Sequence, residues 1–371
     1  MSKEVINIIQ LRAIIITTII GIGVISLPRT IAVEAGTASW LALLIATLLI
    51  IASKLIILKI LEYFPDQNIR DIAFILTGKG IGTIVTLMYI LYFLLFTIGT
   101  VSFTATAVNT WMLPLTPIFV LLFIILGVTA FLALQGVEGV ARFCTTLLIF
   151  NVGSVVMVTI ASIPYIKIFH IQPVFHTDFI HLSKGVGSSF LSFFGGEVLF
   201  IFYKYTQNKN KIKSMVVKSL TFVGLLYTGL VTLTIGFFGI DQLKILIYPV
   251  ISLFKSLHLR LIIPERLELV FLMLWMAAAS TTIGVFFFSC CYLIKQLIPK
   301  LKFGYIVLMV SLVCLTTGAY IPNIEVIIKF LDFIGYFGII PVVIIPLALL
   351  IIIYLKRWFY DAKARNSPNN S

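Results

Sequence analysis

The chain has 371 residues, 60% of them hydrophobic and only 11% charged, with a mean hydropathy of +1.14 and a formal net charge of +13. A water-soluble fold of this length would need far more polar surface, so the composition excludes a soluble domain and specifies an integral membrane protein. The basic excess is not a nucleic-acid groove, because the lysines and arginines gather in connections between apolar stretches.

Measured against the ~20 residues that cross a bilayer, the apolar stretches read as about ten spans. By that criterion they lie at roughly 10–34, 38–62, 82–112, 117–136, 140–162, 185–204, 215–240, 266–297, 303–321 and 335–357. The first follows a short lead and runs on past Pro28, so no cleavable leader is expected.

Span one is interrupted by Gly21-Ile22-Gly23, and Pro28 is expected to begin its second half-helix. In span two, Lys54 is the only basic residue well inside the apolar run, and it can snorkel toward the cytoplasmic surface with Lys59. Residues 66–76 place Ile69, Ile72, Ala73 and Leu76 on one helical face, as an interfacial helix would. Tyr89 and Tyr92 in span three carry hydroxyls at membrane depth that need partners. The outer connection 163–184 holds His170, His176 and His181 at spacings that match no standard zinc site, so they read as solvated loop residues.

Span six is broken in turn by Gly195-Gly196, followed by Glu197 in mid-span. Residues 241–262 form an outer amphipathic segment that either lies on the membrane or caps a central cavity. The small-residue run Ala277–Thr282 in span eight allows close helix approach or leaves volume for a ligand. All four cysteines (Cys144, Cys290, Cys291, Cys314) fall in spans and read as packing residues, and the tail 366–371 is polar and disordered in expectation.

With the N-terminus inside, roughly 18 basic residues face the cytoplasm and about eight face out, as the positive-inside rule requires. Both termini are then cytoplasmic, and the charge serves orientation and contact with anionic lipid. The organisation is one polytopic domain over 1–365, with halves at about 8–162 and 185–358. Five spans is an odd number, so the halves have opposite topology. The fold expected is all-α, a five-plus-five inverted repeat whose helices one and six are broken.

A helix can be broken in lipid only where protein or a water-filled cavity satisfies the freed backbone groups. Matching breaks in two halves point to a midplane binding site. Gly21 and Gly23 let a ligand approach the backbone, and the amides after the break sit at the positive end of a helix dipole, which suits a carboxylate. Tight helix packing through small residues is the alternative. Phe193 and Phe194 can wall such a site. Glu197 costs ~2.5–3.5 kcal/mol at mid-span and so needs a function or a partner. It is a proton carrier, or a structural acceptor for unwound amides or a basic residue; a single acid makes no relay. Paired carboxylates, a phosphate-cradling loop, HExxH and a nucleophile elbow are all missing from the sequence, so neither an enzyme nor a cofactor is expected.

The stretch from Gly21 to Arg29 (GIGVISLPR) resembles the opening "GxGxLxLPR" of the B subunits of spore germinant receptors, relatives of the amino acid–polyamine–organocation (LeuT/APC-like) transporters. Gly195 and Glu197 resemble that family's "GxE" in span six. Tyr248–Leu253, Pro264–Glu268 and Trp275 resemble its outer loop and the start of span eight, and Asp332–Tyr336, Pro346 and Lys356-Arg357 its last span. The resemblance implies sensing in the inner membrane of the spore, with an A subunit and a lipoprotein C subunit as partners and a small germinant, commonly an amino acid, as ligand. It implies a pocket at Gly21, Gly23, Val24, Tyr92, Phe194, Gly195 and Gly196, to which the residue pattern adds Phe193, with structural or gating roles for Arg29, Glu197 and Arg266. The chain departs from the family at Lys204, where a proline is usual, at Ser102, where an arginine is common, and at Phe286 and Phe288, where relatives can carry tyrosine. A proton- or sodium-coupled amino-acid permease is the alternative function.

Overall fold

A computed structural model describes residues 5–21, 23–172, 177–256, 267–321 and 323–366. Helix α1 (Ile8–Ile19) starts under a capping box: the Asn7 side chain accepts from the Gln10 amide and the Gln10 side chain from the Asn7 amide, each at 2.8 Å. The chain leaves helical geometry after Ile19 and resumes as α2 (Gly23–Ala35). The second half-helix therefore begins at Gly23 and not at Pro28, which lies inside α2. A proline there forfeits one backbone bond, to the Val24 carbonyl, without ending a helix whose neighbours hold it.

Gly36, at φ +55°, turns the chain into α3 (Ser39–Tyr63). Ala35 and Ala42 both pack on Gly185, although a straight helix would hold residues seven apart about 10 Å from each other. The two helices are therefore separate crossings. Helix α4 (Ile69–Trp111) joins the interfacial helix to span three across Gly78, at φ +79°, and Ile69, Ile72, Ala73 and Leu76 are all buried. Helices α5 (Ile118–Leu134) and α6 (Gly136–Ser162) complete the first half.

The second half opens with α7 (Phe179–Ser189), the 3₁₀ turns Phe190–Phe193 and Gly196–Val198, and the single turn α8 (Leu199–Phe202). Phe179–Phe193 and Gly196–Tyr205 meet at 49°. Then follow α9 (Ile212–Phe238), the short helices α10 (Ile240–Ile245) and α11 (Pro249–Ser256), α12 (Leu267–Leu297), α13 (Phe303–Tyr320), α14 (Ile324–Ile339) and α15 (Ile345–Asn366). A π-helical stretch, Ile340–Ile344, joins the last two around Pro341. Span ten thus starts at Ile324, earlier than the hydropathy at 335 indicated. Asn323 caps it through the Val326 amide at 3.0 Å, and Glu325, Lys329 and Asp332 lower its apolar signal because that face lines a cavity.

Among the described residues, seven helical stretches are long and apolar enough to cross a membrane, and the bent pair of span six makes eight. Counting Gly23–Tyr63 as two crossings, the first completed by α1, and adding the 17-residue α5 gives the ten expected. The segment before α1 runs beside the end of span six: Ile6 donates to the Tyr205 carbonyl at 2.9 Å and accepts from Gln207 at 3.0 Å. Span one therefore begins where span six ends, so the two run in opposite senses, as an inverted repeat demands.

A cavity between two broken spans

The two breaks face each other. A Cβ added to Gly195, itself at φ +131°, would stand 2.9 Å from Thr18, and one added to Gly23 would stand 3.0 Å from Ser192. Carbonyls freed by the span-one break are taken up by side chains from other helices. Tyr227 donates to the Ile19 carbonyl at 2.8 Å and the Trp275 indole to Gly21 at 3.1 Å. The Thr282 hydroxyl lies between the Thr17 and Thr18 carbonyls, at 3.2 and 3.1 Å, and its one proton serves either. Each bond keeps a buried carbonyl from losing its water without replacement.

Span six is held by its own acid. Both Glu197 oxygens accept from the Gly195 amide at 3.0 Å, the Tyr92 hydroxyl donates to one of them at 2.5 Å, and the Lys54 ammonium reaches the other at 3.0 Å. All of these side chains are fully buried. Lys54 therefore does not snorkel to the cytoplasm. Gly196 leaves room for its stem, and a buried ammonium loses less beside a carboxylate than it would unpaired. Tyr89 donates to the Pro341 carbonyl at 2.6 Å and Ser53 to Val342 at 2.9 Å, satisfying the π-helical stretch from two other spans.

Above the breaks a cavity of about 550 Å³ opens beneath the connection between α10 and α11. Its inner end is lined by Thr18, Gly23, Ser192, Phe194, Phe96 and Thr282, and its mouth by Arg29, Glu34, Glu325, Lys329 and Asp332. Of the residues expected from the sequence, Gly23 and Phe194 line it and Arg29 stands at its mouth, its Nε donating to the Lys244 carbonyl of α10 at 3.0 Å. Gly21, Val24, Phe193, Gly195 and Gly196 are buried behind the wall, Phe193 against the Tyr227 ring at 5.4 Å. Tyr92 lies behind Phe194, edge-on at 6.0 Å, with its hydroxyl turned to Glu197. Arg266 lies outside the described residues, as do Pro264, Glu265 and His176.

The described part of the amphipathic segment, residues 241–256, packs over the cavity, and 257–262 lie outside the described residues. Ile247 lines the cavity, and α11 buries Val250, Ile251, Leu253 and Phe254 against α2 and α12. Tyr248 packs between Phe103 and Trp111, and burial pushes its phenol upward. Phe286 stacks on Phe96 with centroids 4.0 Å apart, and Lys204 lies over the Tyr205 and Tyr292 rings. His170 contacts the Gly236 carbonyl at 3.1 Å, and no cluster of metal-ligating side chains occurs among the described residues. Sequence reasoning missed the caps supplied by Tyr227, Trp275 and Thr282. The available signal was the polar end that a buried tyrosine or tryptophan must satisfy.

The family model described as "Spore germination protein" matches residues 5–325. The chain is 24% identical over 295 residues to spore germination protein YndE of Bacillus subtilis (strain 168), covering 78% of this chain and 80% of that protein. It is 28% identical over 281 residues to spore germination protein B2 of the same organism, covering 74% and 75%. The crystal structure of MhsT in complex with L-phenylalanine superposes with a TM-score of 0.66 at 12% identity, covering 94% of this chain and 97% of that one. At that identity the likeness shows the fold, which is of the LeuT/APC type.

Proposed function

The chain belongs to the spore germination protein family, and on that premise we propose that it is the B subunit of a germinant receptor that binds a small germinant between its broken spans. The observation that carries this reading is the cavity ending on both breaks, with Gly23 of α2 and Phe194 of span six in its wall. The α2 N-terminus supplies freed amides and a positive dipole end for a carboxylate. Phe96, Phe103, Phe194, Leu191 and Leu331 supply apolar walls, while the inner polar side chains are the hydroxyls of Thr18, Ser192 and Thr282. That lining suits an amino acid with an apolar side chain better than a sugar or a nucleoside, whose polar edges would be left without partners. MhsT, of similar fold, was solved with L-phenylalanine.

In this reading the protein sits in the inner membrane of the spore with both termini cytoplasmic. It works with an A subunit and a lipoprotein C subunit, and the ligand acts through its higher affinity for the closed state. The test is dipicolinate release from spores lacking the gene, across L-alanine, L-valine, L-leucine, L-phenylalanine, glucose and inosine. Selective loss of the response to apolar amino acids, restored by the gene, is the expected result. An unchanged response to every compound, with a sister receptor also deleted, overturns the reading. The second reading, a coupled amino-acid permease, draws on the transporter fold and on buried Glu197. It predicts gene-dependent uptake of labelled amino acid in growing cells.

A further inference from the structure

We infer that Lys54, in a span that does not line the cavity, is a positioning residue of the binding wall, acting through Glu197 on the segment that carries Phe194. This rests on the proposed binding role of the cavity. The chain of contacts is short and fully buried. The Lys54 ammonium holds one Glu197 oxygen at 3.0 Å, the Tyr92 hydroxyl holds the other at 2.5 Å, and both oxygens take the Gly195 amide at 3.0 Å. Phe194 is the residue immediately before that amide, and its ring faces the cavity on one side and Tyr92 edge-on at 6.0 Å on the other.

Two features set this pair apart from a charge neutralised only for burial. First, the carboxylate spends both its oxygens on the backbone at the break, where Gly195 adopts φ +131° and no helical bond fixes the chain. A carboxylate with free choice of rotamer would not hold that amide, so the ammonium and the phenol orient it. Second, the glycine next to Glu197 lies directly against the lysine stem. A Cβ at 196 would stand 2.6 Å from Lys54 Cε, so the lysine stem and the glycine next to Glu197 are matched in shape. Gly338 makes room in the same way for Phe194 and Tyr92. Span two thereby sets the height of a cavity wall that it does not itself form.

The test uses the full-length protein in membranes and a reporter cysteine, Ser192→Cys, in the cavity next to Phe193. The four native cysteines are fully buried, so a small methanethiosulfonate added from the outer side reads the reporter. Lys54→Met alone leaves a buried carboxylate without its cation and is expected to lower protein level. Lys54→Met with Glu197→Gln removes both charges and restores it. In that double variant the labelling rate of the reporter is expected to shift away from that of the reporter alone. Tyr92→Phe, which keeps the ring and both charges, is expected to move the rate in the same direction. Normal level with an unchanged labelling rate in the double variant overturns the inference, and so does an unchanged rate in Tyr92→Phe if the double variant fails to accumulate. Labelling needs no germinant. A changed rate in spores that ignore L-leucine and L-phenylalanine would count against the amino-acid reading and leave Lys54 a positioning residue.

Discussion

Gly195 lies directly against Thr18, close enough that a single added carbon would stand 2.9 Å from the threonine Cγ2 and 3.2 Å from its backbone. The two broken spans therefore touch at their interruptions, and neither break can be filled without moving the other. Gly195 also holds φ +131°, which an L side chain rarely adopts. Gly195→Ala should cost about 1–3 kcal/mol from backbone strain alone, before the contact is counted. Thermal unfolding of the detergent-solubilised protein should show a lower midpoint, whereas Gly229→Ala, in open space on α9, should not lower it.

Gly23 is a different kind of glycine. It stands in the cavity wall 3.0 Å short of Ser192 once a Cβ is built, with ordinary helical backbone beyond it. Gly23→Leu should fill the inner end of the cavity. The expected outcome is loss of the amino-acid response beyond any fall in protein level, scored by dipicolinate release against an immunoblot of the spore membrane. A normal dose–response in such spores would place the binding site elsewhere.

Trp275 caps the Gly21 carbonyl through its indole N–H. Trp275→Phe keeps most of the ring area and deletes the donor, leaving a buried carbonyl unsatisfied at about 1–3 kcal/mol. Tyr227→Phe should cost less, because the Ile19 carbonyl keeps the Gly21 amide at 2.8 Å. Because both caps serve one break, the double variant should depart from additivity, and a double-mutant cycle on the thermal midpoints measures the departure.

Phe286 stacks on Phe96, a cavity-lining residue, with an interplanar angle of 18°. Phe286 is fully buried, so Phe286→Tyr would bring a hydroxyl into a packed apolar contact. Destabilisation of about 1–3 kcal/mol is expected, the cost of an unsatisfied buried hydroxyl. A stability at or above that of the parent would mean that the new hydroxyl has found a partner near Tyr92, and a shifted germinant preference should accompany it.

The membrane class, the ten crossings, the two interruptions and the inverted repeat were legible in the sequence, because bilayer thickness fixes span length and broken helices are rare in lipid. The amphipathic helix at 69–76 was legible for the same kind of reason, since its buried face repeats at helical spacing. The start of span ten was not, because the charged residues that face the cavity dilute the hydropathy on which the reading depended.

Only the tertiary structure decided which groups meet. In the sequence Lys54 and Glu197 are 143 positions apart, and each carries a local solution of its own: the lysine can reach toward water, and the glutamate can accept from its own break. Folding placed span two against span six and made one buried pair of them. The sequence likewise named eight binding residues around the breaks but could not sort Gly23 and Phe194, which line the cavity, from Gly21, Gly195 and Gly196, which pack behind it. Period and hydropathy report how one helix meets lipid. Which face of a broken helix meets a cavity is set by the helices packed on its other side, and their identity is not written locally.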